Sequence, residues 1–392
     1  MKIRLLISVL LTLVIHYSNG QSPEKLLPTM GWEPWSISHC KTSEGRMYDA
    51  AYYMALMELM EAEGFRELGY RYLIIECDDH FRDKEGMWTA NTEKFPGGYR
   101  SVVDYAHERG FLIKAYTDAG AGNCCCNDRG SFGYYEEDAR AWARFGFDGV
   151  KIDWCGGKEA GLDPKTQFTE FYNAINKHIK KPFDTEICCW GAGNVWEWGR
   201  FAGSMWRTGL DIDLEYARFA EFEGGRWEIL LRNLENNRHA DTSYVGPGKG
   251  FNYADMLLVG IPGGLTEIEE RTQFTLWAIM ASPLYLSMDL FNLPEYAKEI
   301  LLDREVVGIN QDALGRQGEV IKESRDGNVQ VWCKPLADGS QAVAFFNRDS
   351  IQRDITLKWR DRYGKKGCGS RCMGERGAGI CEEKDVGKDH TP

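Results

Sequence analysis

"GFDGVKIDWCGG", residues 146–157, has the pattern of a buried strand that runs into a glycine turn. Its apolar residues Val150 and Ile152 alternate with Lys151 and Asp153. Side chains two residues apart in a strand share one face, so Lys151 and Asp153 are expected to point the same way. An ammonium and a carboxylate on the inner face, beside the exit into a loop, indicate a reactive site. A buried structural ion pair would leave the same pattern, and this stretch alone does not decide between the two.

Apolar strands and amphipathic helices alternate on both sides of this stretch, which favours a parallel sheet of the α/β class. Eight such units match a (β/α)8 TIM barrel. An open doubly wound sheet is the rival, but no GxGxxG follows the first strand. The predicted strands are residues 29–35, 70–79, 111–120, 149–155, 182–190, 204–213, a weak 243–248, and 282–290. The predicted helices include residues 50–64, 99–110, 135–146, 166–179 and 271–282.

Polar and aromatic residues collect at the carboxyl ends of the predicted strands, where barrel enzymes place their active sites. They are Trp35, Asp78, Asp79, Tyr116, Asp118, Asp153, Trp190, Arg207 and Asp211. Asp153 and Asp211 would face each other across the mouth among aromatic rings, which stack on the apolar faces of sugars. Two carboxylates about 5 Å apart are the catalytic pair of retaining glycoside hydrolases, so this chemistry is predicted.

Four segments of the chain differ in character. Residues 21–318 carry the barrel pattern. Residues 319–362 alternate with a period of two and contain turn signals, so a small, incomplete antiparallel β-domain is expected. Residues 363–392 are rich in cysteine and glycine without a strand pattern, and a flexible tail is expected there. Residues 1–20 are interpreted as a signal peptide.

The first residues have the order of a secretory signal. Lys2 and Arg4 precede an apolar run over residues 5–15, and Gly20 suits a cleavage site. A membrane anchor is the alternative, but the run is shorter than the roughly 20 residues that span a bilayer. The sequence therefore predicts a secreted, lysosomal or periplasmic protein.

Charge and cysteine content narrow the class of partner. The 47 basic and 59 acidic residues give a net charge of −12, which argues against nucleic acid or an anionic membrane surface. Twelve cysteines in an exported chain are expected to be largely disulfide-bonded. The cysteine runs lack zinc-ligand spacing and the chain has only seven histidines, so no metal or cofactor is expected. A homodimer is compatible with the sequence.

Six segments carry a resemblance to a known enzyme family. They are PTMGW (28–32), GSFGYY (130–135), KIDWC (151–155), WR…D (206–211), LWAIMASPL (276–284) and INQDALGRQG (309–318). Together they resemble the α-galactosidases and α-N-acetylgalactosaminidases, the melibiases. The resemblance implies a retaining exo-glycosidase that removes terminal α-linked galactose from oligosaccharides or glycoconjugates. The same machinery in this family also implies N-acetylgalactosamine or β-L-arabinopyranose as alternatives.

The resemblance also assigns roles to residues. Asp153 falls on the nucleophile and Asp211 on the general acid/base. The implied sugar-binding positions are Trp35, Asp78, Asp79, Tyr116, Lys151, Cys189, Trp190 and Arg207. A disulfide between two barrel loops is implied for Cys155 with one of Cys124, Cys125 or Cys126, and Cys40 and Cys77 are further disulfide candidates.

Two strands depart from the family pattern. The aspartate pair at the end of the second strand aligns either with Asp78 and Asp79 or, without a gap, with Glu76 and Cys77. In the fifth strand Cys189 stands where many members have the glutamate that reads the 2-hydroxyl. The choice between galactose and its 2-acetamido form is therefore open.

Two other functions remain to be weighed. A lysine at a barrel strand end can form a Schiff base, but Asp153, two residues from Lys151, favours the charged and unreactive ammonium. A carbohydrate-binding homologue without catalysis is the second, because the second strand is altered and the C-terminal domain is short. Both catalytic carboxylates are present, which argues against it.

Overall fold

The chain forms a parallel barrel followed by an antiparallel sheet. The computed structural model describes residues 27–38, 48–76, 80–122, 124, 129–213, 224–354, 357, 369–373 and 379–384. The strands are β1 (Met30–Trp32), β2 (Tyr72–Ile75), β3 (Phe81–Arg82), β4 (Trp88–Thr89), β5 (Leu112–Asp118), β6 (Gly149–Asp153), β7 (Asp184–Cys188), β8 (Met205–Arg207), β9 (Phe251–Tyr253), β10 (Leu284–Leu286), β11 (Glu319–Glu323), β12 (Val329–Pro335), β13 (Gln341–Asn347), β14 (Gly369–Met373) and β15 (Gly379–Lys384).

The barrel sheet has the order β10-β1-β2-β5-β6-β7-β8-β9, and every neighbouring pair is parallel. A parallel bridge between Leu257 and Leu286 joins the segment after β9 to β10 and closes the ring. The hairpin β3–β4 lies in the connection after β2. The predicted (β/α)8 barrel is confirmed.

Helices cover the outside of the barrel, and their buried faces carry the apolar residues of the predicted helical patterns. They are α1 (Trp35–Ser38), α2 (Ala50–Ala62), α3 (Phe65–Leu68), α4 (Gly98–Glu108), α5 (Tyr135–Phe145), α6 (Pro164–His178), α7 (Val195–Trp198), α8 (Arg226–His239), α9 (Glu267–Ile279), α10 (Glu295–Leu301) and α11 (Arg304–Asn310). Within the described ranges, none of these helices combines the length and apolar character needed to cross a bilayer. The predicted signal peptide, residues 1–20, lies outside the described residues.

The weak strand predicted at residues 243–248 is wrong, and β9 takes its place in the barrel at Phe251–Tyr253. Gly246 and Gly250 pair with each other across a tight turn that contains Pro247. This turn reverses the chain before the strand begins. The glycines and the proline that made the predicted strand weak are therefore turn residues.

The second sheet is antiparallel, with the order β11-β12-β13-β15-β14. Strands β14 and β15 lie within residues 363–392, where the sequence gives no strand pattern. Their segments are rich in glycine and charge and lack period-two alternation, so the pairing with β13 is not visible locally. The sheet contacts the barrel through buried Lys334, whose Nζ donates to the Ala278 carbonyl at 3.1 Å.

Close packing of β1 against β2 depends on Gly31. A Cβ atom at this position would lie 2.3 Å from the Tyr72 carbonyl oxygen and 2.9 Å from the Tyr285 ring. Both distances are shorter than real contacts, so the two strands would have to separate. Gly31 therefore permits the close approach of β1 to β2 and to the Tyr285 ring.

We expect Gly31→Ala to lower the free energy of unfolding by about 1–3 kcal/mol, because an extra methyl group in a packed core forces the backbone to shift. Chemical denaturation followed by circular dichroism measures this. Gly308→Ala is the control, since Gly308 lies in helix α11, where an added Cβ would meet no atom outside the helix backbone within 4 Å and alanine is the better helix former. Equal stability of the two variants would contradict the packing argument.

Candidate active site

A pocket opens at the carboxyl ends of the barrel strands, and its lining residues lie near the ends of β5, β6 and β7 or in the segments that follow β1, β5 and β8. Its lining combines aromatic rings, carboxylates, an ammonium and sulfur atoms. The lining residues are Trp35, Tyr116, Cys124, Lys151, Asp153, Cys188 and Asp211. Predicted sugar-binding and catalytic positions from separate parts of the barrel therefore meet in one cavity.

Asp153 is the last residue of β6 and is held by neutral donors. Its Oδ1 accepts from the Trp154 backbone N–H at 2.9 Å, and its Oδ2 accepts from the Tyr116 hydroxyl at 3.1 Å. Burial raises the pKa of Asp153 to about 6, Lys151 opposes this rise, and Asp211 adds to it. The two hydrogen bonds thus fix the orientation of the carboxylate. Burial and Asp211 favour its protonated form, and Lys151 favours its ionised form.

Asp211 is held by the guanidinium of Arg207, the last residue of β8. Arg207 Nη2 donates to Asp211 Oδ1 at 2.7 Å, and its Nη1 lies 2.7 Å from Asp255 Oδ1. Asp255 Oδ2 accepts from the backbone N–H of Ile212 at 2.6 Å. One arginine and one further aspartate therefore fix both the side chain and the backbone of the Asp211 segment.

Asp255 is a site residue that the sequence interpretation missed. It is fully buried and has a φ of 118°, which a non-glycine residue adopts only when its surroundings impose it. Asp255 lies two residues after β9. Because the seventh strand was predicted at residues 243–248, this aspartate was not recognised as lying at a strand end.

Lys151 lies two residues before Asp153 on the same face of β6 and contacts two acids. Its Nζ is 2.9 Å from Glu33 Oε2 and 3.6 Å from Glu76 Oε1. Burial tends to lower the pKa of Lys151, but the two carboxylates outweigh it and the pKa lies well above the ordinary value. The amine stays charged, which argues against a Schiff-base role.

The end of the second strand brings Glu76 to Lys151. This matches the alignment without a gap, in which Glu76 and Cys77 take the place of the family's aspartate pair. Asp78 and Asp79, the predicted pair, lie outside the described residues together with Cys77. Glu33, which follows β1, was not predicted at all, because a lone glutamate after a strand gives no signal of the face it occupies.

In β7 the residue that faces the pocket is Cys188, which pairs in register with Asp153. Its Sγ lies 3.7 Å from Arg207 Nη1. The sequence assigned this place to Cys189, but Cys189 lies in the apolar core and its thiol faces the Ala192 carbonyl at 3.9 Å. Cys188 is the last residue of β7 and Cys189 begins the turn after it, so the two side chains point in different directions and only Cys188 lines the pocket.

Trp190, also predicted to bind sugar, packs half-buried against the apolar core instead of lining the described pocket. It has a φ of 53°, so the chain turns sharply after β7. Arg207 does not line the described pocket either, but its guanidinium donates to Asp211, which does. Trp35, Tyr116 and Lys151 do line it.

A disulfide joins the loops after β5 and β6. Cys155 bonds to Cys124, one of the three candidates that the resemblance left open. The carboxylate of Asp118 accepts from the backbone N–H groups of Cys155 and Cys124, at 2.8 Å and 3.2 Å respectively. Asp118 and the two sulfurs cluster closely, but the sulfurs are engaged in the disulfide, so the group is unsuited to a metal ion. The other candidates, Cys40, Cys77, Cys125 and Cys126, lie outside the described residues.

A barrel whose pocket is lined by two carboxylates is typical of glycoside hydrolases. The model of the family described as "Alpha galactosidase A" matches residues 27–312, and that of "Alpha galactosidase C-terminal beta sandwich domain" matches residues 326–372. The chain belongs to the α-galactosidase family and is a glycoside hydrolase.

Curated relatives and solved structures agree with this family. The chain is 35% identical over 365 residues to alpha-galactosidase A of Cellvibrio japonicus, covering 92% of this chain and 85% of that protein. It is 34% identical over 336 residues to human alpha-galactosidase A, covering 83% of this chain and 75% of that protein. The structure of the Saccharomyces cerevisiae α-galactosidase with raffinose superposes on this chain with a TM-score of 0.74 at 26% identity. The superposition covers 88% of this chain and 79% of that one.

The raised pKa of Asp153 has a consequence for stability. In an unfolded chain the carboxyl titrates near its ordinary value of 3.8, whereas in the folded protein it titrates at about 6. Between these values the folded state binds more protons than the unfolded chain, so the free energy of unfolding falls as the pH rises. A pKa difference of about two corresponds to about 3 kcal/mol.

We therefore expect the stability of Asp153→Asn relative to wild type to rise by about 3 kcal/mol between about pH 4 and pH 7, because the variant lacks the titrating group. Urea denaturation at a series of pH values measures this gain. Asp163→Asn is the control, because hydrogen bonds from Thr166 lower the pKa of Asp163, so this group titrates below the range and its variant should keep a nearly constant stability relative to wild type between about pH 4 and pH 7. A stability difference between Asp153→Asn and wild type that is independent of pH would contradict the environment described for Asp153.

Proposed function

We propose that this protein is a retaining exo-glycosidase that hydrolyses terminal α-linked galactose by double displacement. The observation that supports it most is that Asp153 and Asp211 line one pocket with the ammonium of Lys151 and the rings of Trp35 and Tyr116. Two carboxylates supply the nucleophile and the general acid/base of such a reaction, and the polar and aromatic groups suit a sugar. The relatives named α-galactosidase support galactose as the sugar.

In the first step an oxygen of Asp153 forms a bond to the anomeric carbon while the bond to the leaving oxygen breaks. Asp211 gives its proton to that oxygen, so the aglycone leaves neutral. The Tyr116 hydroxyl and the Trp154 N–H orient the attacking carboxylate. Because both donors are neutral, they withdraw less charge from the Asp153 carboxylate than a cation in direct contact would, and the carboxylate remains the better nucleophile.

In the second step a water molecule attacks the anomeric carbon and Asp211 removes its proton. The bond to Asp153 breaks, and the sugar leaves with the configuration it had in the substrate. Arg207 and Asp255 keep the Asp211 segment in place through both steps, because they bind its side chain and the neighbouring Ile212 N–H.

A second candidate sugar is β-L-arabinopyranose, which has the ring hydroxyls of galactose but no C6 hydroxymethyl group. The observation that favours it is Glu76, which is one methylene longer than an aspartate at the same strand end. A longer side chain beside Lys151 takes up space that an additional hydroxymethyl group would need. Galactose remains the first candidate because of the named relatives.

We also propose that the protein is exported. Residues 1–20 have the charged start, apolar run and small residue of a cleaved signal. The disulfide between Cys124 and Cys155 supports an oxidising compartment.

Substrate choice is tested with p-nitrophenyl glycosides of α-galactose, α-N-acetylgalactosamine and β-L-arabinopyranose. We expect the highest kcat/KM for the α-galactoside. Asp153→Asn should lose at least about a thousandfold in kcat, since no other group can form the covalent intermediate. A folded Asp153→Asn variant with wild-type activity would refute the assignment of the nucleophile, and a preference for either other glycoside would refute galactose.

The role of Asp211 is tested with leaving groups of different acidity. We expect Asp211→Ala to hydrolyse natural galactosides poorly, because their alkoxide leaving groups need a proton. A dinitrophenyl galactoside leaves without protonation and should form the covalent intermediate at a rate close to that of wild type. Single-turnover release of dinitrophenol against raffinose hydrolysis measures the contrast, and equal losses on the two substrates would argue against an acid/base role.

A further inference from the structure

Two aspartates share one guanidinium beside the pocket. Arg207 Nη2 donates to Asp211 Oδ1 at 2.7 Å, and Arg207 Nη1 lies 2.7 Å from Asp255 Oδ1. Arg207 and Asp255 are sealed from solvent, with exposures of 1% and 0%, whereas Asp211 is 7% exposed and lines the pocket. The three side chains therefore form one buried cluster, of which Asp211 is the member that borders the pocket.

The charges of this cluster do not balance when both acids are ionised, because two carboxylates then face one guanidinium. A buried charge without a partner is costly, so the cluster gains stability by taking up one proton. The pKa of Asp255 agrees with this. Burial raises it well above its ordinary value, Arg207 opposes the rise, and Asp211 adds to it. The two carboxyls thus titrate as a pair that holds one proton.

The contacts of the two acids locate this proton on Asp211. Besides the guanidinium, the backbone N–H groups of Ile212 and Met256 face Asp255 and favour its ionised form. A proton on Asp255 would have to displace one of these donors. Asp211 receives the guanidinium at Oδ1 and borders the pocket, so a proton that it carries can pass to a leaving group.

We propose that the negative charge of Asp255 keeps the catalytic proton on Asp211. Asp255 acts through Arg207, because it neutralises a guanidinium that would otherwise hold Asp211 in its ionised form. It is a positioning residue for the proton, and this role is separate from its contact with the Ile212 N–H. The inference rests on the proposed function, in which Asp211 is the general acid/base.

The proton balance of the reaction fits this arrangement. In the first step Asp211 gives its proton to the leaving oxygen, while Asp153 loses its charge in the bond to the sugar. The net charge of the site therefore stays the same. In the second step the attacking water returns a proton to Asp211, and Asp153 is released as a carboxylate. Arg207 and Asp255 keep their charges throughout.

The other titratable groups around the cluster cannot take the place of Asp255. Burial raises the pKa of the Cys188 thiol and of the Tyr253 hydroxyl well above their ordinary values, so both stay neutral. Lys151 is a cation with an acid of its own. Asp153 also acts on the pocket as a negative charge, but every substrate needs it ionised, so the experiment has to cancel its titration.

The experiment measures kcat/KM as a function of pH for raffinose, whose leaving group needs a proton, and for a dinitrophenyl galactoside, whose leaving group needs none. Both substrates need ionised Asp153, so its titration cancels in the ratio of the two constants, and the ratio follows the proton on Asp211. In wild type the ratio falls through a midpoint as the pH rises. In Asp255→Asn we expect this midpoint to lie about one pH unit or more lower, as for a carboxyl beside an uncompensated cation. Above both midpoints the ratio should then be about tenfold or more below that of wild type.

Two features of the variants separate charge from mere position. Asparagine, like aspartate, adopts positive φ more readily than most residues, so it suits the φ of 118° at this place. A displaced Asp211 would scale the ratio by one factor at every pH and leave the midpoint unchanged. The double variant Asp255→Asn with Arg207→Gln also removes the cation, so its midpoint should return to the wild-type value or above. This double variant carries the test if Asp255→Asn does not fold.

Glu186→Gln is the matched control, because it removes a buried carboxylate 2.9 Å from a different cation, Lys114. Its midpoint should equal that of wild type. An unchanged or raised midpoint in Asp255→Asn, or a midpoint below wild type in the double variant, would overturn this inference alone. A wild-type protein that hydrolyses neither galactoside would overturn the proposed function and this inference with it.

Discussion

The mouth of the barrel is organised around one buried ammonium, that of Lys151. A buried charge is costly unless carboxylates and hydrogen bonds compensate it, and Lys151 obtains them from the ends of β1 and β2. This constraint draws Glu33 and Glu76 inward and fixes the side of the pocket opposite β8. It also places a positive charge on the same face of β6 as Asp153, where it opposes the rise that burial causes in the pKa of that carboxyl.

Asp153 and Asp211, the proposed catalytic carboxylates, are held in different ways that suit those roles. Asp153 accepts from a hydroxyl and a backbone N–H, so its oxygens stay available for attack. Asp211 is bound to Arg207, which is itself anchored on Asp255. Asp211 thus has its own cation, Arg207, which a further acid, Asp255, holds in place. Asp153 and Asp211 line the same pocket. The unusual backbone conformation of Asp255 is the local cost of this arrangement.

Loops complete what the strands begin. Cys124, which lines the pocket, lies in the loop after β5 and is tied to the loop after β6 through Cys155. Asp118 accepts backbone hydrogen bonds from both cysteines, so a strand end and a covalent bond define the same part of the rim. Such double fixation gives a loop the precision that substrate positioning requires.

The amino-acid sequence alone was enough to predict the barrel, to place Lys151 and Asp153 on one face of a strand, and to identify Asp211 as a candidate catalytic carboxylate. These inferences depend on local information, since strand and helix periods, strand ends and short motifs are all readable within a few residues. The tertiary structure alone decided that Glu33 meets Lys151, 118 residues away, and that Asp255 meets Arg207. It also showed that Cys188 and not Cys189 lines the pocket, and that Cys124 is the disulfide partner of Cys155. The strands β14 and β15 likewise became visible only in the tertiary structure. The physical reason is that strand register and closure of the sheet set which residues meet at the mouth, and neither leaves a local trace in the sequence.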